Sequence, residues 1–138
     1  MPESKSRKIA GAFNNVGNDA ILKTGRSTDI VKSTATIPDQ AETVIDTIDG
    51  NTVRASKYTI TAQTLGDSDH QAQEILLTHN GTTATLTSYG TLLHGDNTIV
   101  TYDTTIDSST GTISLLAAPD AAVFGLKFSI ERSDVKTV

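Results

Sequence analysis

From residue 42 to residue 132 the apolar residues come in seven short groups, and between the groups stand residues that turn a chain. The groups are 42–48 (Val44, Ile45, Ile48), 52–65 (Val53, Tyr58, Ile60, Ala62, Leu65), 72–79 (Ile75, Leu76, Leu77) and 83–93 (Ala84, Leu86, Leu92). They continue with 97–106 (Ile99, Val100, Tyr102, Ile106), 112–117 (Ile113, Leu115, Leu116) and 122–132 (Phe124, Leu126, Phe128, Ile130). Asp49-Gly50-Asn51 and Asn80-Gly81 are strong hairpin signals. Gly95-Asp96-Asn97, Ser109-Thr110-Gly111 and Ala118-Pro119-Asp120 fit the same scheme. Alternation is clearest in the last group, where Phe124, Leu126, Phe128 and Ile130 fall on one side and Lys127, Ser129 and Glu131 on the other. That is the pattern of a strand with one wet face. Seven strands so spaced predict an all-β chain, an antiparallel β-sandwich of which a small jelly roll is one version.

Composition supports strands and limits the core. Threonine supplies 23 residues and serine 12, and the β-branched threonine side chain suits a pleated, half-buried surface. Aromatic residues make up only 4%, with no Trp and one Met, so a core must be built from Ile, Leu, Val and Ala. At 138 residues there is material for one such core. Cysteine is absent, which excludes disulfide frameworks, thiolate metal sites and thiol nucleophiles. No apolar run approaches the roughly 18 residues of a membrane span, and the opening residues lack the apolar centre of a signal peptide. The expectation is a protein of cytosol-like solution with no membrane partner.

Residues 1–40 differ in texture. Gly11, Gly17 and Gly25 interrupt them, and apolar residues come singly or in pairs. An extended N-terminal arm is therefore predicted over 1–40, with the β-sandwich domain over 41–138. Residues 1–32 hold six basic and three acidic side chains, a balance of +3, which leaves −8 for the remainder of a chain of net charge −5. A basic tail on an acidic body serves either as a nucleic-acid arm or as a strap across a neighbouring acidic surface. The strap is preferred, because nucleic-acid arms are denser in Lys and Arg and interleaved with aromatics, and Phe13 is the one aromatic here. Ile9, Phe13, Val16, Ile21, Leu22, Ile30 and Val31 are the candidate partner-binding residues.

No constellation suited to catalysis emerges. His70, His79 and His94 lie at or near predicted strand ends, without ligand spacing, and read as isolated surface histidines. A nucleophile elbow, phosphate-binding glycine loop, zinc pattern and EF-hand loop are missing. In Gly66-Asp67-Ser68-Asp69-His70, Asp67 and Asp69 are candidate cation ligands. The competing reading is a polar turn in which Asp bonds its own backbone. Neither a cofactor nor an enzymatic activity is expected.

From Lys57 onward the order of residues resembles a small β-domain that recurs in virion structural proteins of tailed phages, especially those of cyanobacteria and other marine bacteria. The resemblance lies in Lys57-Tyr58-Thr59-Ile60, in Glu74 to Ala84 (EILLTHNGTTA), in Ser88-Tyr89-Gly90-Thr91 and in Leu115-Leu116-Ala117-Ala118-Pro119. It implies a non-enzymatic particle component with no catalytic residues to transfer, located in the virion and assembled in host cytoplasm. Residues 1–40 lie outside it. A recurring domain with a private arm suggests a capsid decoration or cement protein. Its partners would be the major capsid protein and further copies of itself, in a homo-oligomer that analogy makes a trimer. The alternatives are a neck, tail or fibre-base adaptor and a carbohydrate- or receptor-binding module.

Overall fold

The computed structural model describes residues 13–16, 19–23, 28–66 and 68–137, with the backbone alone for the first two stretches and for Thr28. Ten strands form: β1 (Phe13–Val16), β2 (Asp19–Lys23), β3 (Thr28–Ile37), β4 (Thr43–Asp49) and β5 (Val53–Thr64), followed by β6 (His70–His79), β7 (Ala84–His94), β8 (Val100–Asp107), β9 (Thr112–Pro119) and β10 (Leu126–Lys136). All seven strands expected beyond residue 41 are present. The other three lie in the stretch expected as an arm.

The strands make two antiparallel sheets. One has seven strands in the order β1-β2-β3-β10-β5-β6-β7, the other three in the order β4-β9-β8. The chain crosses from β3 to the small sheet, returns for the β5–β6–β7 meander, crosses again for the β8–β9 hairpin, and comes back to insert β10 between β3 and β5. β3 pairs with β10 along its whole length, from Thr28 against Val135 to Ile37 against Leu126, and Ile37 is fully buried. Residues 28–37 are therefore part of the sandwich, which corrects the expectation of an arm running to residue 40. The physical reason is β10, whose second edge would otherwise lie open in the middle of the sheet.

Alternation puts Tyr58, Ile60, Ala62, Ile75, Leu77, Leu126, Phe128 and Ile130 on the inner face of the large sheet. They meet Ile45, Ile48, Val100, Ile113, Leu115 and Ala117 of the small sheet. The intervening residues of β5 and β10, among them Lys57, Thr59, Thr61, Lys127, Ser129 and Glu131, face solvent. This explains the wealth of threonine: it fills the wet side of long, pleated strands.

Turns mostly sit where the sequence places them. Asn51 N–H bonds the Asp49 carboxylate at 3.0 Å, and Gly50 N–H bonds the carbonyl of Gly111 at 2.9 Å, which clips the β4–β5 turn to the β8–β9 turn. At Asn80-Gly81 the connection is a four-residue loop rather than a two-residue hairpin. Gly81 has φ +97°, and the Asn80 side-chain oxygen accepts from the amides of Thr82 and Thr83 at 3.0 and 2.8 Å. Phe124 is a second departure. It is expected in line with Leu126 but is 76% exposed, because Gly125 at φ +98° turns the chain before β10 begins and breaks the alternation.

Candidate assembly interface

The densest cluster of charge lies inside the sandwich. Arg132, on the inner face of β10, holds Asp134 through Nε at 2.7 Å and Nη2 at 3.0 Å. Its Nη1 reaches across to the small sheet, to Asp46 at 2.6 Å and to the Thr47 carbonyl at 3.1 Å. Tyr58 donates its hydroxyl to Asp46 at 2.9 Å, and Ser56 donates to Asp134 at 2.7 Å. Burial would lower the Arg132 pKa, but the two carboxylates more than offset it and hold the guanidinium charged. Burial and the Asp46 charge push the Tyr58 phenol well above its ordinary range. Carboxylates do acid–base chemistry only when a proton and a substrate can reach them, and the buried Asp134 and partly buried Asp46 are taken up by bidentate or inter-sheet pairing. The arrangement is a clasp between sheets.

This cluster escapes the motif search, yet its signal is in the sequence. Arg132 and Asp134 continue the parity of Leu126, Phe128 and Ile130, which places an arginine and an aspartate on an apolar face. Charges in such positions need partners. Asp46 is harder to find, since β4 shifts register between Val44 and Asp46 and only that bulge aims Asp46 at β10.

The histidines divide. His70 and His94 are cross-strand neighbours, their rings edge to face with centroids 5.9 Å apart. His79 is buried rather than on the surface: its Nε2 lies 2.7 Å from the Val53 carbonyl and its Nδ1 accepts from Gly81 N–H at 3.1 Å. Both nitrogens are used to fix the β6–β7 turn, which requires the Nε2–H tautomer. Asp67 lies outside the described residues. Asp69 is a turn residue whose carbonyl accepts from Thr64 N–H at 3.1 Å. No group of three or more acidic or histidine side chains able to hold a metal exists among the described residues.

The candidate partner-binding residues fall at the β1 side of the large sheet. Ile9 lies outside the described residues. Phe13 and Val16 stand on β1, Ile21 and Leu22 on β2, Ile30 and Val31 on β3. Register aligns Phe13, Leu22 and Ile30 in one row, and Ile21 with Val31 in the next. The sequence thus singles out a ribbon of paired strands rather than an extended strap. Ile30 and Val31 are half-buried.

At the opposite side, β7 packs on the core only at its start, through Ala84 and Leu86, and is exposed from Thr87 to His94. With strands about 4.8 Å apart, three strands span less than half the width of seven. Inner-face residues Ser88, Thr91 and Leu93 of β7 are accordingly exposed, as are Tyr89 and Leu92. Tyr89 occupies a bulge, since Glu74 pairs with Gly90 and Ile75 with Ser88. The Lys57 ammonium lies 5.9 Å from its ring and 3.8 Å from Glu74, and the Tyr89 hydroxyl and the Glu74 charge raise the Lys57 pKa. The readable signal is a lack: from Ile75 to Gly95 the chain has no Asp, Glu, Lys or Arg.

No family model and no curated protein matches the chain. Among solved structures, the fold resembles part of the tailspike protein of the Acinetobacter baumannii bacteriophage Fri1, a capsular polysaccharide depolymerase. The TM-score is 0.52 at 11% identity, over 98% of this chain and 22% of the tailspike. The tailspike of Acinetobacter baumannii phage AM24 aligns at TM-score 0.46 and 9% identity, over 80% of this chain and 26% of that one. The chain thus spans about a quarter or less of these proteins. The Fri1 likeness establishes a shared architecture, a β-sandwich that also occurs inside a larger protein.

Proposed function

We propose that the chain is a non-catalytic structural module of a tailed-phage particle, which attaches one component to another. The observation that carries this reading is the combination of a closed interior and an open rim. The carboxylates of the cluster are consumed by Arg132, while the two outer sides of the large sheet present the residues suited to contact: the β1–β2 ribbon and the exposed part of β7. A sandwich of this architecture within a phage tailspike supports the tail side of the particle, as an adaptor or a spike-base module. Capsid decoration, anchored through the N-terminal region, is the second reading and rests on the sequence resemblance. Catalysis of the kind named for the Fri1 tailspike is not part of the proposal, because a quarter of such a protein need not carry its active site.

The test is to locate the protein in intact particles by labelling or imaging and to count it against the major shell protein. A few copies at the tail support the adaptor reading. Hundreds over the shell support decoration, and absence from purified particles sinks both. Incubation with capsular polysaccharide is expected to release no oligosaccharide, and measured turnover would overturn the non-catalytic assignment.

A further inference from the structure

We infer that β7 is a self-association edge, at which two copies of this chain join their large sheets strand to strand about a two-fold axis. An edge strand presents unpaired backbone N–H and C=O groups, and soluble proteins ordinarily defend it with charge, proline or a bulge. The other long edges here are defended by charge. In the small sheet β4 carries the exposed Asp49 with exposed Glu42 just before it, and β8 carries the exposed Asp103 and Asp107. Two copies meeting at either of those edges would set aspartates against aspartates in a protein already at net charge −5. β1, the remaining edge, is four residues long.

β7 runs for eleven residues, Ala84–His94, with no acidic or basic side chain except the histidine and no proline. Its one protection is the bulge at Tyr89. Large exposed hydrophobics gather beside it: Tyr89, Leu92 (76% exposed) and Leu93 on the strand, and Leu76 on β6. These are half of the eight such residues among those described. Charge identifies the occupant. A neutral strand accepts its own copy without repulsion, and an antiparallel pair about a two-fold axis is the closed arrangement that a self-complementary edge forms. A foreign strand bound electrostatically would require a charge on β7 to recognise, and there is none. The inference is independent of the virion reading, because the purified chain is tested without particles.

Thr87 and Leu92 pair with Leu76 and Ala72 on the face turned away from the small sheet, and both are exposed. Two variants of the full chain are made, T87K/L92K and T87E/L92E, and each is checked for unchanged β-type circular dichroism and for a cooperative thermal transition. By sedimentation the parent chain is expected to be a dimer at micromolar concentration. Each variant should dissociate on the order of tenfold or more readily, since like charges are brought together. An equimolar mixture of the two should regain the dimer. A monomeric parent chain overturns the inference, including the case in which the variants then fail to enter particles, which would give the edge to another protein. Variants that remain dimeric place the interface elsewhere. Variants that dissociate without rescue on mixing overturn the two-fold β7–β7 pairing.

Discussion

Two strands, β5 and β6, separate Arg132 on β10 from β7 in the same sheet, and the two regions treat polar groups in opposite ways. Around Arg132 each side chain of the cluster has a partner, and the partners come from both sheets. Along β7 the backbone faces outward unpaired and the side chains carry no acidic or basic group to discourage a neighbour. What separates them is the reach of the small sheet. Where it covers the large one, burial forces complete pairing. Beyond Leu86, where that cover stops, the same threonine-rich strand chemistry continues exposed to solvent. Rigidity belongs to the covered part, and availability to the overhang.

Truncation sharpens this contrast most. Deleting residues 2–37 removes β3 and strips one edge from β10, so the expected outcome is loss of cooperative unfolding in urea. Deleting residues 2–27 spares β3 and should leave the β-type circular dichroism signal and a cooperative transition. If the longer deletion also unfolds cooperatively with unchanged midpoint, β3 is dispensable and the covered region is smaller than the sheet suggests.

Arg132→Met comes next. It leaves the buried Asp134 and the partly buried Asp46 without a cation, and the expected loss is about 3–5 kcal/mol by denaturant unfolding. Leu92→Glu on the overhang, measured at a dilution where the parent is also monomeric, should stay within about 0.5 kcal/mol of the parent. Similar losses at the two sites would erase the distinction. Alkaline pH gives a smaller, graded effect. Burial raises the pKa of Tyr58, with Asp46 adding to the shift, and burial raises that of Tyr102, whose hydroxyl is the buried side-chain polar atom without a partner among the described residues. The unfolded chain therefore releases these protons first. Stability is fully present below about pH 10 and falls above it, by up to about 1.4 kcal/mol per tyrosine for each pH unit. Tyr102→Phe should lessen that slope by one group's share, read from urea midpoints between pH 9 and 11. Smallest of all, Lys57→Met removes an exposed ion pair with Glu74 and should leave the urea midpoint nearly unchanged.

The covered part was also the more legible in sequence. β4 to β10 follow from short apolar groups and turn residues because burial on one face leaves a period of two in the chain. β3 hides because its inner face, Val31, Ser33, Ala35 and Ile37, interrupts its apolar residues with a small and a polar one, and of the four only Ile37 is fully buried. Phe124 misleads because local alternation continues through a glycine that the backbone uses to turn. His79 reads as a surface residue until Val53 and Gly81 are brought to its two nitrogens, an arrangement that depends on strand pairing. The bare edge left no motif at all. It is visible as twenty-one residues without a formal charge, and its place at the rim of the sheet follows only from topology.

The insertion of β10 between β3 and β5 has a consequence for the order of events in the cell. A ribosome delivers both flanking strands well before the one that joins them. Until residues 126–136 emerge, β3 has no route into the main sheet, and the β5–β6–β7 meander lacks the neighbour that supplies Phe128 and Ile130. A meander whose apolar face is uncovered is marginal on its own, so a chain lacking β10 has no finished core. Completion is then a single late step, slow for a topology rich in distant pairings.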